Sequence, residues 1–200
     1  MRASLYLNFK EHLASIILTV CLIVLNAVSI YMFDAIKSIE IFIIIFNVTL
    51  TIEIISTYRR KSWERHLHTF PIKKESFIKA PMIIAWGHCT LLFLISIPVV
   101  FLRDGSLFDN FRGYLLFYCA SIVTIAVIFY LNFRYKYREK IKGLSYFVAF
   151  VTTIVAAIGY MFVVVLLGFL PLYIVPLLFH IPLWYSYKWC VKKYKQMDII

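Results

Sequence analysis

The sequence predicts an all-α membrane protein with six transmembrane helices and both termini in the cytoplasm, and three observations predict it. Of its 200 residues 62% are hydrophobic and only 16% are charged, where a soluble domain carries roughly 45–50% apolar and about 25% charged residues. A soluble core of this size could not hide so much apolar surface, so the bilayer has to act as the solvent. The apolar residues come in stretches close to the roughly 20 residues that cross a hydrocarbon layer as helix. The basic residues lie between these stretches and alternate in density along the chain.

The elements follow in order. Arg2–His12 is a short amphipathic stretch with Leu5, Leu7 and Phe9, suited to the membrane surface. Span one, residues 13–33, carries no charge. It is too long for the apolar region of a signal peptide and ends in Tyr31-Met32-Phe33 rather than in small residues, so it is expected to stay. Span two covers 39–58 and contains Glu40 and Glu53, and residues 59–81 form a basic loop. Spans three and four cover 82–102 and 113–133. From Leu144 to Tyr187 there are 44 residues without Asp, Glu, Lys or Arg. As one helix these would reach about 66 Å, twice a bilayer core, so the chain must turn back, and Gly168–Pro171 is the place. That gives spans five and six, at 144–166 and 170–187. The whole chain, 1–200, is then a single membrane domain.

The Lys and Arg count tests this division. On one side the N-terminal segment, second loop, fourth loop and tail hold 2, 7, 5 and 4; on the other the first, third and fifth loops hold 1, 2 and none. By the positive-inside rule the rich side is cytoplasmic, which places the chain in the plasma membrane with both ends inside. The net charge of +11 is thereby spent on orientation, so no nucleic-acid partner is expected. The lipid bilayer is.

Motifs for chemistry are sparse. There is no GxxxxGK[ST] and no glycine-rich phosphate cradle, so any ATP used must be hydrolysed by another polypeptide and no cofactor is bound directly. Cys21, Cys89, Cys119 and Cys190 stand alone, which implies neither a disulfide framework nor a zinc site. His66 and His68 do not share a helical face, and HExxH is absent, so no metal site is expected. His88 and Cys89 are adjacent and point about 100° apart on a helix, which rules out a catalytic dyad made of that pair alone. Small proteases that process signalling peptides are similar in size and basic loops, but their His-to-Cys spacing does not occur.

Three other patterns stand out. Thr49, Glu53, Ser56 and Arg60 form one polar stripe along span two, either an interface ion pair or the lining of a translocation path. Pro176 and Pro182 flank His180 in span six, which implies a kinked helix or a re-entrant piece. In span five Ala149, Thr153 and Ala157 recur every four residues, for close helix packing within the chain or across a dimer.

The basic loop is the most specific stretch. Ser62 caps a possible helix with Trp63, His66, Leu67 and Phe70 on one side and Glu64 and Arg65 elsewhere, and Pro71 stops it. Phe70-Pro71-Ile72, then Lys73-Lys74, then Phe77-Ile78 resembles the loop between spans two and three in permeases of exporter-type (type II) ATP-binding-cassette transporters. The chain departs from that pattern in carrying Lys79 early and Pro81 near the membrane. The resemblance implies that Trp63, Glu64, Arg65, His66, Leu67, Phe70 and Pro71 form a coupling helix that docks on a separate cytosolic ATPase. It implies a second permease copy or a paralogous permease as partner. It also implies export of a peptide, toxin, antibiotic or lipid, with Thr49, Glu53, Ser56 and His180 along the path. Two further readings are a Cys peptidase of the membrane and an immunity protein that binds a toxin there.

Overall fold

The structure, a computed structural model, describes residues 75–101, 106–134, 139–167 and 174–196, with helical positions 10, 13, 14, 16, 17, 20, 21, 24, 45 and 48–54 before them. Among the described residues the regular elements are all helical. They are α1 (Ser76–Phe101), α2 (Leu107–Arg134), α3 (Glu139–Leu167), α4 (Ile174–Phe179) and α5 (Ile181–Lys195). Among the described residues three stretches are long and apolar enough to cross a membrane: Ser76–Pro98, Asn110–Arg134 and Leu144–Leu166. They support a membrane protein.

α1, α2, α3 and α5 each extend past the span read from the sequence at one end or both. Hydropathy locates the hydrocarbon-soluble part, whereas helix ends are set by backbone hydrogen bonds. At α1 the Glu75 carbonyl accepts from Ile78 N (3.2 Å) and Lys79 N (2.9 Å), so the helix begins before Met82 and includes Pro81. At α2 the Ser106 carbonyl accepts from Asn110 N at 3.0 Å, which brings the polar residues Asn110 and Arg112 into the helix. α3 similarly starts at Glu139, and α5 runs on past Tyr187 to Lys195.

α2 is the axis of the bundle. Its span is 67% buried, against 50% for α1 and 22% for α3, the mark of a helix enclosed by others. Against α1 it runs antiparallel: Tyr114 Oη donates to the Phe93 carbonyl and Tyr118 Oη meets Thr90 Oγ1 at 3.2 Å. Against α3 it is also antiparallel, with Tyr160 Oη on the Arg112 carbonyl, Thr124 on Thr153, and Asn132 Nδ2 on Ser145 Oγ. α5 lies parallel to α2, since Ser186 donates to the Ala126 carbonyl and the Trp189 ring packs on Tyr130. α3 and α5 therefore run in opposite directions along α2, and the Gly168–Pro171 turn read from the sequence lies outside the described residues.

Several hydroxyls inside the bundle are satisfied locally as well as across helices, as a medium without water favours. Thr90 donates to the carbonyl four residues back at 3.0 Å; Thr124 and Thr153 each lie 2.8 Å from theirs and 3.0 Å from one another, so one donates across the helices and the other to its own backbone. Ala149 is fully buried, and Thr153 reaches Thr124 at 3.0 Å, so this part of the small-residue row packs on α2 within the chain. The opposite face of α3 is a continuous exposed stripe that includes Phe147, Phe150, Ile158, Phe162 and Val165. From the N-terminal part, Ile16, Leu50, Ile52 and Ile54 enter the same core as Ile78, Ile122 and Phe129.

Candidate functional site at a broken helix

The helical path through Ile174–Lys195 breaks at His180, and the break follows from the prolines. Pro182 has no N–H to give the Leu178 carbonyl, and it sits at the start of α5, where that lack matters least. The His180 backbone N–H turns to the Leu177 carbonyl at 3.2 Å, a tighter bond than the α-helical one. That choice withdraws the usual donor from the Pro176 carbonyl. The His180 side chain replaces it: Nδ1 lies 2.6 Å from Pro176 O.

This contact sets the ring's tautomer. The Trp86 indole can only donate, and its Nε1 lies 3.0 Å from His180 Nε2, so Nε2 accepts and the proton sits on Nδ1 facing Pro176. Tyr118 Oη is 3.4 Å from the same Nε2 and 3.2 Å from Thr90 Oγ1. Because Thr90 gives its proton to the Trp86 carbonyl, Tyr118 is the donor of this group. Trp86 and Thr90 from α1, Tyr118 from α2 and His180 at the α4–α5 break thus form one network joining four elements. The sequence placed His180 on a translocation path; the structure places it in this network, half-buried and engaged at both nitrogens.

A second junction lies at the end of the bundle where α1 starts and α5 finishes. Lys195 Nζ pairs with Glu75 Oε1, both half-exposed. Just inside, Tyr194 packs between Phe77 of α1 and Phe133 of α2, with ring centroids 6.1 and 6.3 Å apart. The first turn of α1 is therefore held to the last turn of α5.

The other sequence-derived positions fall as follows. Trp63, Glu64, Arg65, His66, Leu67, Phe70 and Pro71 lie outside the described residues, as do Ser56 and Arg60. Thr49 and Glu53 stand on the exposed side of residues 48–54, whereas Leu50, Thr51, Ile52 and Ile54 are buried. Ala157 is half-buried on α3. Cys89 is 1% exposed, and its neighbour His88 is also buried. Among the described residues no three His, Cys, Asp or Glu side chains gather as metal ligands. Sequence reasoning missed Trp86, Thr90, Tyr118 and the Glu75–Lys195 pair. The spacing of Trp86 and Thr90 by one helical turn was a legible sign that they share a face, but their partners are far away in sequence. Set against protein-family models, curated proteins and solved structures, the chain matches none.

Proposed function

We propose that this chain is the membrane-spanning permease subunit of an exporter-type ATP-binding-cassette transporter, with six spans, both termini cytoplasmic and a place in the plasma membrane. It pairs with a second copy or a paralogous permease and is driven by separate cytosolic ATPase subunits. The observation that carries the reading is the Ser62–Pro71 amphipathic segment in a basic loop that leads straight into α1. The fold supplies a mechanical rationale. The first turn of α1 is fixed to the end of α5 through Glu75–Lys195 and Phe77–Tyr194, so a displacement of the loop moves both helices together. Further along, Trp86 and His180 join the same two helices again. Two ties on one helix pair favour a rigid-body rocking over local bending.

Two more features agree with this reading. α3 leaves an apolar face that a second permease copy can cover, and the cargo would pass at that interface. Burial of Cys89 away from any peptide speaks against the peptidase alternative. The cargo class is an amphipathic peptide, toxin, antibiotic or lipid.

Co-purification with a span-free ATPase tests the proposal. The ATPase is expected to co-elute with the intact chain and to be lost on deletion of Ser62–Phe70. If that deletion left association and export intact, the coupling role would be wrong.

A further inference from the structure

A groove of about 290 Å³ runs along the outside of the contact between α1 and α5. Met82, Trp86, Leu183 and Trp184 wall it, His180 closes one end, and Lys79 stands at the other. A site near the lower limit of about 300 Å³ for small-molecule pockets suits one hydrocarbon chain rather than a bulky compound. Its length follows the helix axes, because Lys79, Met82 and Trp86 climb one face of α1 while Trp184 and His180 climb the facing side of α5.

The charge at the mouth identifies the occupant. Lys79 is exposed and has no ion-pair partner among the described residues, since the Glu75 carboxylate is engaged by Lys195. Next to the groove, one turn beyond its wall residue Trp184, Lys188 holds its ammonium 3.6 Å from the centroid of the Trp184 ring. The pairings of Phe77 with Tyr194 and of Trp86 with His180 put Lys79 and Lys188 at similar depth, at the Glu75–Lys195 end of the bundle. Lys79 is one turn inside the start of α1. That is the level where lysines extend toward headgroups over an apolar stem and where Trp and Tyr gather.

We propose that this groove holds an acyl chain of an anionic phospholipid whose phosphate rests on Lys79 and Lys188. Basic pockets between membrane helices recognise anionic headgroups in this way, and each lysine near the surface enriches an anionic lipid about fivefold. The bound lipid lies along both helices of the α1–α5 pair and adds a third tie between those at Glu75–Lys195 and at Trp86–His180. The assignment depends on the chain being in a membrane and is independent of its role in transport.

Tryptophan quenching by brominated lipid tests it. The full chain is reconstituted in phosphatidylcholine vesicles containing a minor fraction of either brominated phosphatidylglycerol or brominated phosphatidylcholine. The anionic bromolipid is expected to quench more strongly at equal fraction. The excess should vanish in Lys79→Gln/Lys188→Gln, persist in Lys79→Arg/Lys188→Arg, and shrink in Trp184→Phe, which locates it in the groove. Equal quenching by the two lipids, or an excess that survives the double Gln variant, would overturn the proposal. So would an absence of quenching at Trp184 by either lipid, which means that a second copy of the chain fills the groove. Displacement of the excess by inorganic phosphate would assign the site to a free anion and would equally overturn the lipid.

Discussion

His180 engages a backbone carbonyl with one ring nitrogen and an indole with the other, so a substitution there has two groups to satisfy. Phenylalanine satisfies neither: the part-buried Pro176 carbonyl loses its donor at about 1–3 kcal/mol, and the exposed Trp86 indole loses its acceptor at a smaller cost. His180→Phe should therefore lower the thermal midpoint of the solubilised protein clearly. His180→Gln, which keeps a donor and an acceptor on one side chain, should recover part of the loss. Equal midpoints for His180→Phe and the native protein would show that the network carries no stability. Trp86→Phe is expected to be milder, because Tyr118 can then give its proton to Nε2. The sequence made Pro176, His180 and Pro182 legible as a disturbance in span six. It could not say that His180 repairs that disturbance, because the indole that fixes the ring's tautomer comes from a helix 94 residues away.

At the scale of elements, the junction of α1 with α5 combines an exposed ion pair with aromatic packing, and the two do different work. Exposed ion pairs contribute about 0–1 kcal/mol, so Glu75→Lys should barely move the thermal midpoint. In the proposed transporter it should nevertheless reduce export, because the loop is then less firmly tied to α5. The charge swap Glu75→Lys/Lys195→Glu should restore export. If the single variant exports normally, the pair has no part in coupling. Tyr194→Ala, which removes the ring between Phe77 and Phe133, should cost about 3–5 kcal/mol by analogy with other large aromatic truncations and fail on stability first. The existence of these helices was plain from hydropathy. Their ends were not, since Ser76, Asn110, Glu139 and Lys195 lie on helical turns outside the spans 82–102, 113–133, 144–166 and 170–187 read from the sequence.

Over the whole molecule, burial of the four thiols gives a test of packing that needs no substitution. Cys89, Cys119 and Cys190 are buried and Cys21 is exposed. A maleimide should modify one thiol per folded chain in mild detergent and four after denaturation. Rapid labelling of more than one in the folded state would contradict the bundle as described. The all-helical class was legible because the composition leaves only a bilayer as solvent and the spacing of apolar stretches matches helical spans. The arrangement around α2 was not legible, because its partners Phe93, Ser145, Thr153 and Ser186 lie on three other helices, up to 60 residues away, and hydropathy does not pair them. That enclosed position has a consequence for biogenesis. α2 emerges from the ribosome before α3 and α5, yet Thr124, Asn132 and the carbonyl of Ala126 find their interhelical partners only on those later helices. Until those helices exist, Thr124 and Asn132 bond only to their own helix, through the Ala120 and Ile128 carbonyls. The interhelical bonds are added only once Ser145, Thr153 and Ser186 have been translated, so the bundle closes around a span that was made before its neighbours.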